Sequence, residues 1–163
     1  MAPALPRDAE RLIDLRALLI LDTPTEQRFD RIVHFAANEF DMPMAVIILM
    51  YEDRQWSKSR VGIDVCETAR DISFCGHAIG EPGLFLIADT LSDERFFDNP
   101  MVAGAPFVRF YVGAPLRLSL GPMVGTLCLL DTKPRTFDLV DQSVLHTLRD
   151  LAVEELERRA EAQ

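Results

Sequence analysis

Among the 163 residues, Cys66, Cys75, Cys128, His34, His77 and His146 are the side chains best suited to nucleophilic, metal or near-neutral proton chemistry. Cys75 and His77 invite a thiolate–imidazole pair, in which the base activates the sulfur. On a helix, residues two apart point to nearly opposite sides; on a strand they share a face. Gly76 between them and the short unit Ile72–Ile79 favour a helical turn, so Cys75 reads as a buried small residue and His77 as structural or pocket-lining. Cys128 lies in an apolar run and reads as core, and Cys66 sits in a polar loop. An odd number of cysteines with no CxxC spacing argues against a disulfide framework or a zinc site. GxSxG, HExxH, P-loop and GxGxxG motifs are absent. With 26 acidic residues, chance carboxylate pairs are expected, so Asp89, Asp93 and Asp98 read as solvating or capping their loop. A different chemistry is open to the stretch Asp89–Arg109. It mixes Phe96, Phe97, Met101 and Phe107 with Asp93, Arg95, Asn99 and Arg109. Apolar walls carrying a few polar groups are what a small-molecule site needs.

The elements that must position these residues follow from periodicity. Arg109–Leu118 and Met123–Asp131, joined by the turn formers Ser119–Pro122, read as an antiparallel hairpin. The second arm is apolar enough to be buried on both faces near the middle of a sheet. Met44–Tyr51 is a continuous apolar run, read as another central strand. Gln55–Val61 is expected to pair back on it, with Trp56 inward and Gly62 ending the strand. Leu84–Ala88 reads as a short strand, and 89–106 as a long connection that is functional or carries helical turns of its own.

Helical stripes flank the strands. Leu12, Leu15 and Leu19 form one, expected to pack on another subunit or on the C-terminal helix. Thr23, Pro24 and Glu26 read as cap, first helical residue and capping-box partner of a helix whose core stripe is Phe29, Ile32, Val33, Ala36 and Phe40. Asp138 is expected to cap a last helix with Val140, Val144, Leu148, Leu151 and Ala152 on one side. This order predicts an α+β fold, one antiparallel sheet of about five strands with helices against it.

A length of 163 residues suits one domain with a real core. The net charge of −9 argues against a nucleic-acid partner, which a Lys/Arg surplus on one face would favour. The longest apolar run is far shorter than the ~20 residues a membrane span needs, and the first residues lack a signal-peptide core. No membrane association and a cytoplasmic location are therefore expected.

Several separated blocks together resemble GAF domains, in particular the sensor modules of bacterial histidine kinases and diguanylate cyclases. They include Leu21–Pro24, Phe29–Ile32, Lys58–Gly62, Thr68–Cys75, His77–Ile79, Asp93–Phe96, Asn99–Pro100, Arg109–Tyr111, Gly113–Leu116 and Gly125–Cys128. The resemblance covers about residues 10 to 157. It implies a PAS/GAF-like central antiparallel sheet of about five to six strands with helices on both sides. Residues 1–6 would be a flexible N-terminus and 7–163 a single domain that includes its dimerisation and signalling helices. The 64–107 excursion would roof a ligand cavity lined by Trp56, Phe74, Cys75, His77, Asp93, Phe96, Asn99, Phe110, Tyr111 and Thr126. The implied role is signalling without catalysis: a small-molecule ligand, a homodimer through the terminal helices, and an output domain, separate or excised. The resemblance leaves any cofactor unknown. The alternative it suggests is a thiol-dependent enzyme like methionine sulfoxide reductase, with a bilin or haem receptor third.

Overall fold

The computed structural model describes residues 24–51, 54–63, 67–69, 74, 78, 83–104, 107–118 and 123–161. The expected leading helix, the Ser119–Pro122 turn, Cys66, Cys75 and His77 lie outside them. The described elements are α1 (Gln27–Glu39), β1 (Met44–Tyr51), β2 (Arg54–Val61), β3 (Glu67–Ala69), β4 (Phe85–Ile87), a 3-10 turn (Thr90–Ser92), α2 (Pro100–Ala103), β5 (Phe110–Arg117), β6 (Met123–Asp131) and α3 (Leu139–Glu161). The strands form one six-stranded sheet in the order β3-β2-β1-β6-β5-β4. Every described pairing is antiparallel.

The two most apolar strands, β1 and β6, are the middle pair, with Val46 opposite Cys128 and Ile48 opposite Thr126. Their backbones approach closely at Gly125. A Cβ built there would overlap the carbonyl oxygen of Ile48, so only glycine lets β6 lie against β1 at this point.

Alternation along the strands divides the core in two. On one face Ala45, Ile47, Leu49, Phe110, Val112, Leu127 and Leu129 meet the inner sides of α1 and α3. On the other, Met44, Val46, Ile48, Met50, Tyr111, Cys128 and Leu130 lie beneath Phe74, Ala78, Phe96, Val102 and Val108. The expected stripe of α1 is buried at Phe29, Ile32, Val33, Ala36 and Phe40.

Two helix expectations are corrected. Glu26 is the residue that caps α1 by position, but its side chain makes no cap hydrogen bond, so the capping box does not form. Its carboxylate is drawn instead to Lys58 and Arg159. In α3, Val140 and Leu151 face outward at 71% and 45% exposure. The buried stripe is Leu145, Leu148, Ala152 and Leu156, because the helix is rotated to bring these onto the sheet. Asp138 does cap α3. Its Oδ1 accepts from the Asp141 N–H at 2.8 Å, and Asp141 Oδ2 accepts from the Asp138 N–H at 3.1 Å, a reciprocal box built from two aspartates.

The less regular alternation of β2 has a structural cause. The β1–β2 register shifts between Ile47 and Ile48, so Ile47 faces Ser59 and Ile48 faces Ser57, with Lys58 the extra residue. Such a bulge turns neighbouring side chains to the same side. Ser59 donates to Asp30 on α1 at 2.5 Å, while Lys58 Nζ lies 2.7 Å from Glu26 Oε2.

Gly125→Ala is expected to destabilise the fold by about 3–5 kcal/mol, because relief of the overlap must part the central strands; urea denaturation measures it. Burial pushes the Glu26 carboxyl up, but hydrogen bonds and charge from Lys58 and Arg159 outweigh it, so the group lies below its ordinary 4.5. A depressed folded pKa contributes stability above the unfolded value, and that stability is lost as pH falls through the folded pKa. Glu26→Gln should therefore flatten the fall in stability below about pH 4.5, measured as denaturation midpoints from pH 3 to pH 7.

Candidate functional site

The sheet face away from α1 and α3 carries a stack of aromatic rings. Phe74 stacks on Phe96 at 4.7 Å between centroids and on Tyr111 at 4.9 Å. Phe85 meets both Phe96 and Tyr111 edge-on, at 5.9 and 6.1 Å. Offset stacks and edge contacts of this kind add to what burial alone contributes.

Tyr111 reaches its place because Gly113, two residues on and on the same face, has no side chain. A Cβ at Gly113 would overlap the Tyr111 hydroxyl. The ring lies over Gly113, and its hydroxyl approaches Cys128 Sγ at 3.0 Å, with Thr126 Oγ1 at 2.9 Å from the same sulfur. Gly113 and Cys128 are register partners, as are Pro115 and Thr126. The floor beneath the rings therefore holds three adjoining polar atoms in a buried setting. Among the described residues Cys128 is the free cysteine, and it is buried.

The connection from 88 to 109 forms the rim. It is the long segment whose composition suggests a pocket, and it does carry helical turns. Asp89 accepts from the Leu91 N–H at 3.1 Å and caps the 3-10 turn. Buried Thr90 donates its hydroxyl to the Val108 carbonyl at 2.7 Å, tying the start of the segment to its end. Asn99 accepts from the Met101 N–H at 2.9 Å and caps α2, with Pro100 in the first turn. Arg109 donates to the carbonyls of Val102 at 2.8 Å and Val108 at 3.2 Å.

Asp93 and Arg95 complete the rim. Asp93 Oδ1 accepts from both the backbone N–H and Nε of Arg95, at 2.9 and 3.0 Å, and Oδ2 accepts from Nη2 at 2.8 Å. This two-pronged hold fixes the plane of the guanidinium. It lies 4.9 Å from the Phe85 ring centre and 5.4 Å from that of Phe96, within cation–π range. Half of the Arg95 side chain faces solvent. A cation thus stands at the edge of the aromatic stack, next to a carboxylate.

Of the residues expected to line a cavity, the structure brings together Phe74, Phe96, Tyr111 and Thr126, with Asp93 and Asn99 on the bordering segment. Trp56 and Phe110 belong to the helix-side cluster instead. Phe110 follows from strand alternation, being one residue before Tyr111, and packs on Phe137 at 6.0 Å. Trp56 faces Leu49, itself a helix-side residue. Cys75 and His77 lie outside the described residues. Sequence reasoning overlooked Phe85 and the position of Cys128 at the floor. Alternation would have found Phe85, which shares a face with Ile87 in β4 and is opposite Gly113. Among the described residues no group of three or more His, Cys, Asp and Glu could hold a metal ion, and no helix is long and apolar enough to cross a membrane.

Comparison with known proteins adds relatives to this geometry. One family model, described as the GAF domain, matches residues 24–156. The cyclic di-GMP phosphodiesterase PA2567 of Pseudomonas aeruginosa is 39% identical over 134 residues, 82% of this chain and 23% of that protein. The chain thus spans less than a quarter of that relative's length. The free methionine-R-sulfoxide reductase from Neisseria meningitidis, solved with its substrate, superposes with a TM-score of 0.69 at 16% identity, covering 100% of this chain and 98% of that one. The GAF domain of a phosphoenolpyruvate-protein phosphotransferase from Coxiella burnetii gives 0.68 at 14% identity, covering 96% and 99%. At such identities these two likenesses speak to the fold.

Phe74→Ala is expected to cost about 3–5 kcal/mol, because it empties the middle of the ring stack. Tyr111→Phe keeps the stack and removes one hydroxyl, so it should cost about 1 kcal/mol. Guanidinium denaturation of the two variants beside the parent protein checks both the size and the order.

Proposed function

The chain belongs to the GAF family, and from that premise we propose that it is a regulatory, non-catalytic module of signal transduction that takes a small molecule beneath its roof. The observation that carries this reading is the pairing of a buried aromatic stack with a polar border: Asp93 and Arg95 at the edge, Tyr111, Thr126 and Cys128 at the floor. Apolar walls bind by burial, and a few fixed polar groups orient. The Arg95 guanidinium, already aligned by Asp93, favours a ligand with an anionic or carbonyl group at one end. The name of the Pseudomonas relative supports a signalling setting, with a segment like this one forming a minor part of a longer protein.

A structural part for Cys128 is supported by its surroundings: its sulfur is enclosed in the sheet between a tyrosine and a threonine hydroxyl. The reading further includes a cytoplasmic homodimer joined through terminal helices. Its support is the outward apolar side of α3, where Leu139 and Val140 are 78% and 71% exposed. The net charge of −9 fits a module without a nucleic-acid partner.

Thermal-shift screening against nucleotides, amino acids and carboxylic acids tests the ligand. A compound at 100 times its Kd should raise Tm by roughly 5–10 °C, and Arg95→Ala should reduce that shift. If no compound shifts Tm and a crystal structure shows the chamber filled by its own side chains, only an interaction role survives. Reduction of methionine sulfoxide with dithiothreitol as electron donor would overturn the non-catalytic part. Sedimentation as a monomer at high micromolar concentration would overturn the dimer.

A further inference from the structure

Both ends of the 88–109 segment rest on one short stretch of chain, the end of β6 and the loop after it. The Arg135 N–H donates to the Ala88 carbonyl at 3.2 Å, and the Arg109 N–H donates to the Asp131 carbonyl at 2.8 Å. Thr90 closes the segment between them. Its N–H donates to the Arg109 carbonyl at 2.9 Å and its hydroxyl to the Val108 carbonyl at 2.7 Å. The rim of the chamber is therefore positioned by 131–135.

The side chains of the same two residues reach the other cover of the sheet. Asp131 is 2% exposed. Its Oδ1 accepts from the Thr132 N–H at 2.6 Å, and its Oδ2 accepts from Arg135 Nε. Arg135 Nη1 donates to the Phe40 carbonyl at 2.9 Å, and Nη2 donates to that of Asp41. These carbonyls stand at the C-terminal end of α1. There Asp41 takes a φ of 50°, and the N–H groups of Phe40, Asp41 and Met42 donate to the carbonyls of Ala36, Asn38 and Ala37. The helix thus ends on a left-handed residue, and the carbonyls beyond its last turn go to a cation, as the helix dipole favours.

A buried carboxylate stripped of its cation is costly, so the guanidinium is held to Asp131. Its planar fork has fixed donor directions. With Nε committed to the carboxylate, the Phe40 and Asp41 carbonyls are placed relative to the loop whose backbone carries the rim. We infer that Arg135 is a joint that passes a displacement of the rim to the last turn of α1, around the end of the sheet and not through its layers. Arg135 is in this sense a positioning residue. The joint depends on the fold and not on what the chamber takes, so it stands apart from the ligand reading above.

Amide exchange followed residue by residue by NMR on the full chain tests it, in a cycle of Thr90→Val, Arg135→Lys and the double variant. Thr90→Val removes the hydroxyl that closes the rim. Arg135→Lys keeps a charge beside Asp131 and replaces the fork with a single point. In the parent background Thr90→Val should speed exchange at residues 40–42 about threefold or more, along with 108 and 109. In the Arg135→Lys background it should still speed 108 and 109 but change 40–42 by less than about 1.5-fold. In both backgrounds residues 145–156 of α3 should change less than about twofold, which separates coupling from general loosening. A merely structural arginine predicts that Thr90→Val leaves 40–42 unchanged. The joint is overturned by that result, by equal acceleration of 40–42 in the two backgrounds, or by acceleration that extends evenly into α3. Should Arg135→Lys not fold, Arg135→Met with Asp131→Asn, which removes the cation and the buried anion together, takes its place in the cycle. Should Thr90→Val not fold, Asp89→Ala, which removes the cap of the 3-10 turn, serves as the change at the rim.

Discussion

Gly125 lets β6 come against β1 at a point where any side chain would strike the Ile48 carbonyl, and both layers of the core are built on the resulting pair. Hydrogen bonding fixes the spacing of these strands, and their continuous apolar sequence requires cover on both faces. Helices supply one cover and the roof the other. A sheet with two water-facing surfaces could not bury Met44 through Met50, all of which are enclosed. The division of labour between the two faces follows from period-2 alternation acting on this pair.

The two covers differ in chemistry as well as position. The helix side is aliphatic, with Ile47, Leu49, Leu127, Leu129, Leu145 and Leu148 dominating. Such a layer transmits displacement because interiors are close-packed and do not deform smoothly. The roof side is aromatic and sulfur-bearing, with Phe74, Phe85, Phe96, Tyr111 and Cys128. Rings leave flat surfaces and polar edges, and here the edges are met by Arg95 at the rim and by hydroxyls at the floor. The sheet separates the two layers and packs against both.

Charge refines what hydrophobic burial has built. Arg135 reaches from the loop after β6 to the carbonyls of Phe40 and Asp41 and to the Asp131 carboxylate, holding one end of the sheet together. Glu26, Lys58 and Arg159 do the same for the two long helices. Buried ion pairs contribute little net stability against apolar replacements, but losing one member is costly. Groups of this kind specify an arrangement more than they strengthen it.

The chain's pattern alone determined the central pair, the core stripe of α1, the β1–β2 and β5–β6 pairings and the helical turns in the 88–109 connection, while the short strand β3, in a stretch that reads as polar linker, was missed. These rest on local rules: periodicity, caps and turn formers act between residues close in sequence. The motif blocks spread along the chain determined the family. Tertiary structure alone decided which face each strand residue takes. Phe110 and Tyr111 are neighbours, and only the packing of Phe137 and Phe74 against them says which one faces the helices. Trp56 went to the helix side because its partner Leu49 does. Packing of α1 and α3 over β2 decided that a lysine in a polar strand is buried, and its ammonium draws the Glu26 carboxylate away from a capping role. Rotation of α3 decided that Val140 and Leu151 face out. For Phe110, Tyr111 and Lys58 the deciding partner lies tens of residues away, and a choice set by distant contacts leaves no mark in the local sequence.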